Sequence, residues 1–259
     1  MSALARIPAS DLISQSFYDF SRANALSDGA LDVYLNVNGG NVAIGGGEYG
    51  NQTIRTMSMD SALQAYLQTS FERLSRIIDI DFRLSPDRQN TDLNFYLDTT
   101  IDVGGAGTTL GIALPNTRAG HSWWEIILNT PALISQTDYL HYASIHELGH
   151  VLGLEHPFDA TDGDVYISSD PQLGAYPEDT VMAYRTPESG RWPEWYSLND
   201  LEALIKLWGA RTQLFTAADE TIIGQDYSEI FDGAGGNDAI DGRGGRDTVI
   251  FHGASSQYD

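Results

Sequence analysis

Apolar and polar residues alternate in several short stretches of the chain and recur at helical spacing in others. Alternation over four to seven residues predicts half-buried strands, and it is found in 31–37, 79–83, 92–97, 110–115 and 123–129. Apolar residues at helical spacing predict amphipathic helices, here over 59–78, 137–153 and 197–210. The mixture predicts an α+β fold.

Caps and loops follow from single residues around these elements. Asp60 or Ser61 is the expected cap of the first long helix, and Thr137 or Asp138 that of the second. Gly153 is expected to end the second helix in the left-handed conformation. Glycines predict loops over 39–47 and 104–107, and polar residues predict a long loop over 157–178.

Composition divides the chain into three parts. Residues 1–30 are small, polar and mixed, which predicts a loosely held N-terminal segment, and 31–211 form the expected main domain. A period of nine appears in 212–259, where glycines, acidic residues and apolar residues each recur in register: Gly224, Gly233 and Gly242; Glu229, Asp238 and Asp247; Phe231, Ile240 and Val249.

The charge balance limits the possible partners. The 259 residues include 14 Lys+Arg against 36 Asp+Glu, a formal net charge of −22. Such a surface repels nucleic acids and anionic lipids and suits cation binding, although solubility alone explains it equally well. No apolar run is long enough for a membrane span, and the first residues do not resemble a secretory signal peptide. The absence of cysteine excludes disulfides and thiolate metal sites.

Residues 146–156, HELGHVLGLEH, carry the strongest chemical signal. His146 and His150 are four residues apart on a predicted helix, so both rings project from the same face. Gly153 allows a turn that returns His156 as a third ligand, which leaves a fourth position open for water, as in catalytic zinc sites. Glu147 is then placed to hold that water. The alternative, a surface helix with incidental histidines, does not explain the added Gly153 and His156.

The same residues resemble the metzincin zinc proteases, whose signature extends His-Glu-x-x-His by Gly-x-x-His. The resemblance implies a methionine turn beneath the metal, for which Met182 lies 26 residues after His156. Tyr184, two residues further on, matches the Met-x-Tyr arrangement of serralysins and astacins. The resemblance implies that the Tyr184 phenol approaches the zinc and donates a hydrogen bond to the oxyanion.

The glycine-rich C-terminal segment resembles the calcium-binding nonapeptide G-G-x-G-x-D-x-U-x. The resemblance implies calcium ligands in two units: Gly233, Gly235 and Asp238; Gly242, Gly244 and Asp247. Ala234 and Arg243 depart from the pattern. The unit at 224–232 has Glu229 and no inner glycines, so calcium binding is not expected there. A flexible glycine-rich tail would not explain three coincident registers.

Together the two halves resemble a serralysin-type protease. The resemblance implies a metzincin catalytic domain, with a twisted mixed sheet and an active-site helix, followed by the start of a parallel β-roll. It implies Zn²⁺ and Ca²⁺ as cofactors, protein or peptide substrates, a monomer, and an extracellular location reached without an N-terminal signal peptide. No C-terminal export signal is recognisable at the end of the chain. By analogy, 123–129 is expected to be the edge strand that pairs with substrate.

Two other hypotheses remain open from the sequence. One is a non-catalytic, secreted calcium-binding protein that retains a metzincin-like fold. The other is a metallopeptidase of another clan with a distant glutamate as third ligand. Of the remaining histidines, His121 and His252 are expected to have no role in the site. His141 is expected to be solvated, with a supporting position behind the metal ligands as the alternative.

Overall fold

The computed structural model describes residues 6–25, 28–99, 110–158 and 174–252. The predicted turn at 104–107 and most of the predicted loop at 157–178 lie outside these residues. The helices are α1 (Gln15–Ala25), α2 (Ser61–Ile77), α3 (Thr130–Leu133), α4 (Thr137–Val151) and α5 (Leu198–Trp208). The strands are β1 (Ala30–Leu35), β2 (Gly40–Ile44), β3 (Gln52–Thr56), β4 (Asp81–Leu84), β5 (Leu93–Asp98), β6 (Gly111–Arg118), β7 (His121–Asn129), β8 (Thr212–Leu214), β9 (Thr221–Ile223), β10 (Ile230–Asp232), β11 (Ala239–Asp241) and β12 (Thr248–Ile250).

The main sheet is mixed. Strands β4, β1, β5 and β7 are parallel neighbours in that order, and β6 pairs antiparallel with β7 at the outer side. The hairpin of β2 and β3 joins the sheet through Thr56, which is paired with Asp98 at the end of β5. The fold is therefore mixed α+β, as the sequence pattern predicted.

Helices α1, α2 and α4 bury one face of the sheet. Trp124 of β7 is fully buried, and its ring makes edge contacts with Phe17 and Phe20 of α1, with centroid distances of 5.6 and 5.2 Å. The apolar face predicted for α2 is buried, and Asp60 caps this helix by accepting a 2.8 Å hydrogen bond from the Leu63 N–H. Periodicity thus predicted the part of the core formed by α2, but not the part formed by α1.

A second, small apolar cluster covers the other face of the main sheet. It includes residues from 39–47, which the sequence pattern predicted to be a loop. Val42 and Ile44 of β2 and Ile54 of β3 pack against Tyr96, Leu114 and Ile127 of the main sheet. The sequence pattern did not reveal β2 as a strand, because glycines flank it and only two of its apolar residues face the cluster. The pairing partner, β3, supplies the hydrogen bonds that fix this strand.

Residues 6–25 are held more firmly than the composition of this segment indicated. Ile7 and Leu12 are buried, and Ile13 forms a bridge with Leu154. The Ser14 N–H donates to the Gly153 carbonyl at 2.9 Å. These contacts join residues about 140 positions apart, so local composition could not reveal them.

The C-terminal strands pair in parallel at an offset of 18 residues. Ile230 lies opposite Thr248 and Thr212, while Ala239 lies opposite Thr221, so successive nine-residue units alternate between two small sheets. Phe231 is fully buried at the apolar position of its unit. The boundary predicted near 212 remains a prediction.

Candidate metal centre

Three histidine side chains converge at the end of α4. The ligating atoms of His146, His150 and His156 all lie within 4.8 Å of one another, so these residues could hold a metal ion. The Nε2 atoms of His146 and His156 are 3.2 Å apart. Two nitrogens bound tetrahedrally at 2.0–2.1 Å from one ion would lie about 3.3 Å apart. The histidine positions therefore suit a single zinc-sized ion.

The turn after α4 returns His156 towards the helix. Gly153 has a φ of +98°, and a Cβ atom on it would lie 2.8 Å from the Cβ of Tyr18. Backbone conformation and packing thus both require glycine here. At the other end of α4, the predicted cap was wrong, because Gln136 occupies that position without a side-chain cap. The Asp138 carboxylate instead accepts from the Trp192 N–H at 3.1 Å.

Backbone carbonyls orient two of the imidazole rings. His146 Nδ1 lies 2.7 Å from the Val181 carbonyl oxygen, and His150 Nδ1 lies 2.9 Å from that of Leu154. A proton on each Nδ1 leaves Nε2 with a free lone pair for a metal. Burial lowers the pKa of His146 to about 4, and burial with the neighbouring rings lowers those of His150 and His156 to about 3 and about 2. The rings are therefore neutral near pH 7.

Glu147 supplies a carboxylate next to the histidines without joining their convergent set. Its side chain is buried, and burial raises its pKa to about 8, against an opposing hydrogen bond from the Ala113 backbone. Glu147 is therefore a buried carboxyl group beside the three histidines and outside their convergent set.

Met182 packs against α4 at Gly149, and Tyr184 lies beside the histidine rings. Met182 is fully buried beneath α4, whereas Tyr184 is 60% exposed. The Tyr184 ring centroid lies 4.4 Å from that of His156 and 5.7 Å from that of His146. The Tyr184 phenol thus lies beside the convergent histidines and is accessible to solvent.

An aromatic cavity of about 460 Å³ opens beside His146 and Glu147. Its wall includes Tyr139 and Trp192, whose rings stack at 4.2 Å, and Tyr142, which donates to the Ala183 carbonyl at 2.6 Å. Nothing in the local sequence around Trp192 indicates that this residue reaches Tyr142 on α4.

The predicted substrate-pairing strand was wrong. Strand β7, which contains 123–129, is paired on both sides, by β5 and by β6. An inner strand has no free backbone groups to offer a peptide. Among the described residues, β6 pairs only with β7 and contributes Gly111 to the cavity wall, so β6 is the edge strand beside the site there.

The expectation of a solvated His141 was also wrong. Its side chain is 12% exposed, its Nδ1 pairs with the Glu194 carboxylate, and its ring stacks on Tyr66 at a centroid distance of 3.8 Å. His252 is exposed and pairs with Asp232. His121 stacks on Trp123 at 5.3 Å. None of these three belongs to the convergent set within the described residues.

The residues proposed as calcium ligands lie at the turns of the C-terminal units. The Asp238 carboxylate lies against Gly233, and that of Asp247 lies against Gly242. Each aspartate also accepts a 3.0 Å hydrogen bond from a backbone N–H 18 residues earlier, that of Glu220 or of Glu229. Gly235 and Gly244 lie in the same turns and pack beside Ala217 and Asp226. Ala234 and Arg243 keep positive φ angles of 56° and 60°, so these departures preserve the turn shape.

Comparison with known proteins finds weak, partial similarity between the chain and serralysins. No protein-family profile matches it. It is 26% identical over 171 residues to a serralysin of Photorhabdus sp. (strain Az29), covering 60% of this chain and 34% of that protein. It is 29% identical over 126 residues to serralysin B of Dickeya chrysanthemi, covering 43% and 25%.

A serralysin of Photorhabdus laumondii subsp. laumondii is 26% identical over 184 residues, with 64% of this chain and 37% of that protein covered. The matches thus span between a quarter and just over a third of these relatives' lengths. At this level the chain is similar to serralysin-like metalloproteases. Among the described residues, no helix combines the length and apolar character needed to cross a bilayer.

Proposed function

We propose that this chain is a zinc-dependent endopeptidase that cleaves peptide bonds in proteins. The observation that carries the proposal is the convergence of three neutral imidazoles next to the buried Glu147 carboxylate, at the mouth of a cavity. Nitrogen ligands with one open position are typical of catalytic zinc. His146, His150 and His156 would hold the ion.

Zinc bound at these residues supplies Lewis acidity to a water molecule and to the scissile carbonyl. Glu147 accepts the proton of the attacking water and delivers it to the leaving amine. The Tyr184 phenol donates a hydrogen bond to the carbonyl oxygen as negative charge develops there. Met182 supports the ligand-bearing helix from below.

The surroundings of the site favour an extended peptide as substrate. The outer edge of β6 offers backbone groups for antiparallel pairing, as extended peptides do when they add to a sheet. The cavity lined by Tyr139, Tyr142 and Trp192 accepts an apolar side chain next to the scissile bond. Both features lie beside Glu147 and His146, so binding would align the carbonyl with the proposed metal.

The proposal assigns different functions to two parts of the chain. Residues 31–211 form the catalytic domain, and 212–259 form calcium-binding repeats of a parallel β-roll, with Gly233, Gly235, Asp238, Gly242, Gly244 and Asp247 as ligands. The parallel pairing at an offset of 18 residues supports the β-roll. The proposed calcium binding and the high negative charge favour an extracellular location, because calcium is abundant outside cells. The proposed monomer rests on the serralysin resemblance alone.

The test is zinc analysis of the purified protein combined with digestion of casein, with and without a zinc chelator. Stoichiometric zinc with chelator-sensitive digestion supports the proposal. Stoichiometric zinc without hydrolysis would favour the non-catalytic calcium-binding alternative. A protein without zinc whose digestion resists the chelator would refute the proposal.

A further inference from the structure

The peptide group between Val181 and Met182 connects the His146 ring to a buried carboxylate. We propose that Asp200 and Thr180 are positioning residues for the metal ligand His146, acting through a hydrogen-bond relay that crosses this peptide. The inference rests on the proposed metal site. It concerns how tightly that site holds its ion.

Each link of the relay is a direct hydrogen bond. The Thr180 hydroxyl donates to Asp200 Oδ1, and Thr180 Oγ1 accepts from the Met182 N–H at 3.1 Å. The Val181 carbonyl, in the same peptide group as that N–H, accepts from His146 Nδ1 at 2.7 Å. The path thus runs from carboxylate to hydroxyl, peptide and imidazole, and ends at Nε2.

Asp200 is a fixed origin for this relay. It is fully buried at the third position of α5 and forms a capping box with Ser197. Its Oδ2 accepts from the N–H of Val181 at 3.0 Å and from that of Ser197 at 2.8 Å. Burial raises the pKa of Asp200, whereas these bonds and that from Thr180 oppose the rise. The carboxylate therefore fixes two points of the methionine-bearing turn.

The relay acts on His146 by orientation and polarisation. Metal-bound histidines commonly donate their second nitrogen to a carboxylate, which fixes the ring and raises its basicity. Hydrogen bonds in a chain polarise one another, most strongly in a buried setting. Here a hydroxyl and a peptide stand between carboxylate and imidazole. His150, by contrast, contacts the carbonyl of Leu154 within its own turn.

The experiment measures the zinc dissociation constant of the metal-free protein by competition with a chromogenic chelator, together with its thermal midpoint. Thr180→Val removes the hydroxyl and keeps the side-chain shape, while Thr180→Ser restores the hydroxyl. Asp200→Asn removes the charge at constant size. Ser197→Ala is the control for general loosening of this region, because its hydroxyl accepts from the Asp200 N–H and donates to the Asp179 carbonyl but is not a link between Asp200 and His146.

We expect Thr180→Val and Asp200→Asn to weaken zinc binding by about 10–100-fold, with Thr180→Ser and Ser197→Ala near wild type. The inference is overturned if Thr180→Val keeps wild-type affinity. It is equally overturned if Ser197→Ala loses as much affinity as Thr180→Val at a similar thermal midpoint, since general loosening then suffices. A wild-type protein that binds no zinc would instead refute the proposed function itself. If Asp200→Asn does not fold, the two Thr180 variants decide.

Discussion

The sulfur atom of Met182 occupies the space that a side chain at Gly149 would need. A Cβ atom built on Gly149 would lie 2.8 Å from Met182 Sδ, closer than such contacts allow. Gly149 lies one residue before His150 in α4. The absence of a side chain at Gly149 therefore allows this helix to pack closely against the turn that contains Met182. The methionine and the glycine therefore act as one packing unit.

Gly149→Ala should destabilise the fold by about 1–3 kcal/mol, because an added methyl group overpacks a well-filled interior. Urea denaturation measures the loss, and the Met182→Ala background is the control. In that background the penalty should shrink, since the sulfur is gone. An equal penalty in both backgrounds would show that the Met182 contact is not the cause.

His146→Ala should abolish stoichiometric zinc binding, because two of the three converging nitrogens do not complete the site. His141→Ala, on the same helix but paired with Glu194, should retain zinc. Metal analysis after dialysis compares the two variants. Equal zinc contents would contradict the assignment of His146 as a ligand.

Glu147→Gln should lower peptide hydrolysis by at least about 10²-fold and leave zinc in place. The amide keeps the size of the side chain but cannot carry the proton, a role worth about 10²–10⁴-fold in rate. Turnover and zinc content are measured on the same preparation. Near-wild-type turnover would refute the mechanism, and loss of zinc would make Glu147 a ligand.

Tyr184→Phe should lower kcat more than it changes KM. A donor used only as charge develops on the carbonyl oxygen stabilises the transition state and not the bound substrate. The exposed ring should keep its position beside His156, so folding is unaffected. A rise in KM alone would assign Tyr184 to substrate binding or packing.

Calcium should order residues 220–251, and Asp238→Asn should raise the calcium concentration needed. The carboxylates of this segment repel one another without a cation between them, and its few apolar residues offset little backbone entropy. Glu229→Gln is the matched control, because the unit at 224–232 lacks the inner glycines of the nonapeptide and is not expected to bind calcium. Amide exchange with calcium and with chelator measures the ordering.

Equal protection with calcium and with chelator would refute the calcium role of these repeats. If Asp238→Asn and Glu229→Gln raise the required calcium concentration equally, the unit at 224–232 also takes part in calcium binding, contrary to expectation. Neither outcome affects the zinc site.

The local sequence pattern was sufficient to predict those features whose signal lies within a few neighbouring residues. The spacing of His146 and His150 on a helix, the buried face of α2 and the Asp60 cap all follow from neighbours in sequence. The nine-residue register likewise anticipated the spacing of β10, β11 and β12. Asp200 could have been found from the same kind of signal, because a serine followed three residues later by an acid is a capping pattern.

Tertiary structure decided what depends on partners distant in sequence. Only the pairing of β6 outside β7 shows which strand has a free edge, and only the folded chain brings Leu12 against the turn at Gly153 and Leu154. The sequence by itself determined which side chains could bind a metal, since spacing sets which residues share a helix face. It could not determine the partners that orient them, such as Val181 for His146, because those contacts are made by loops whose paths depend on long-range packing.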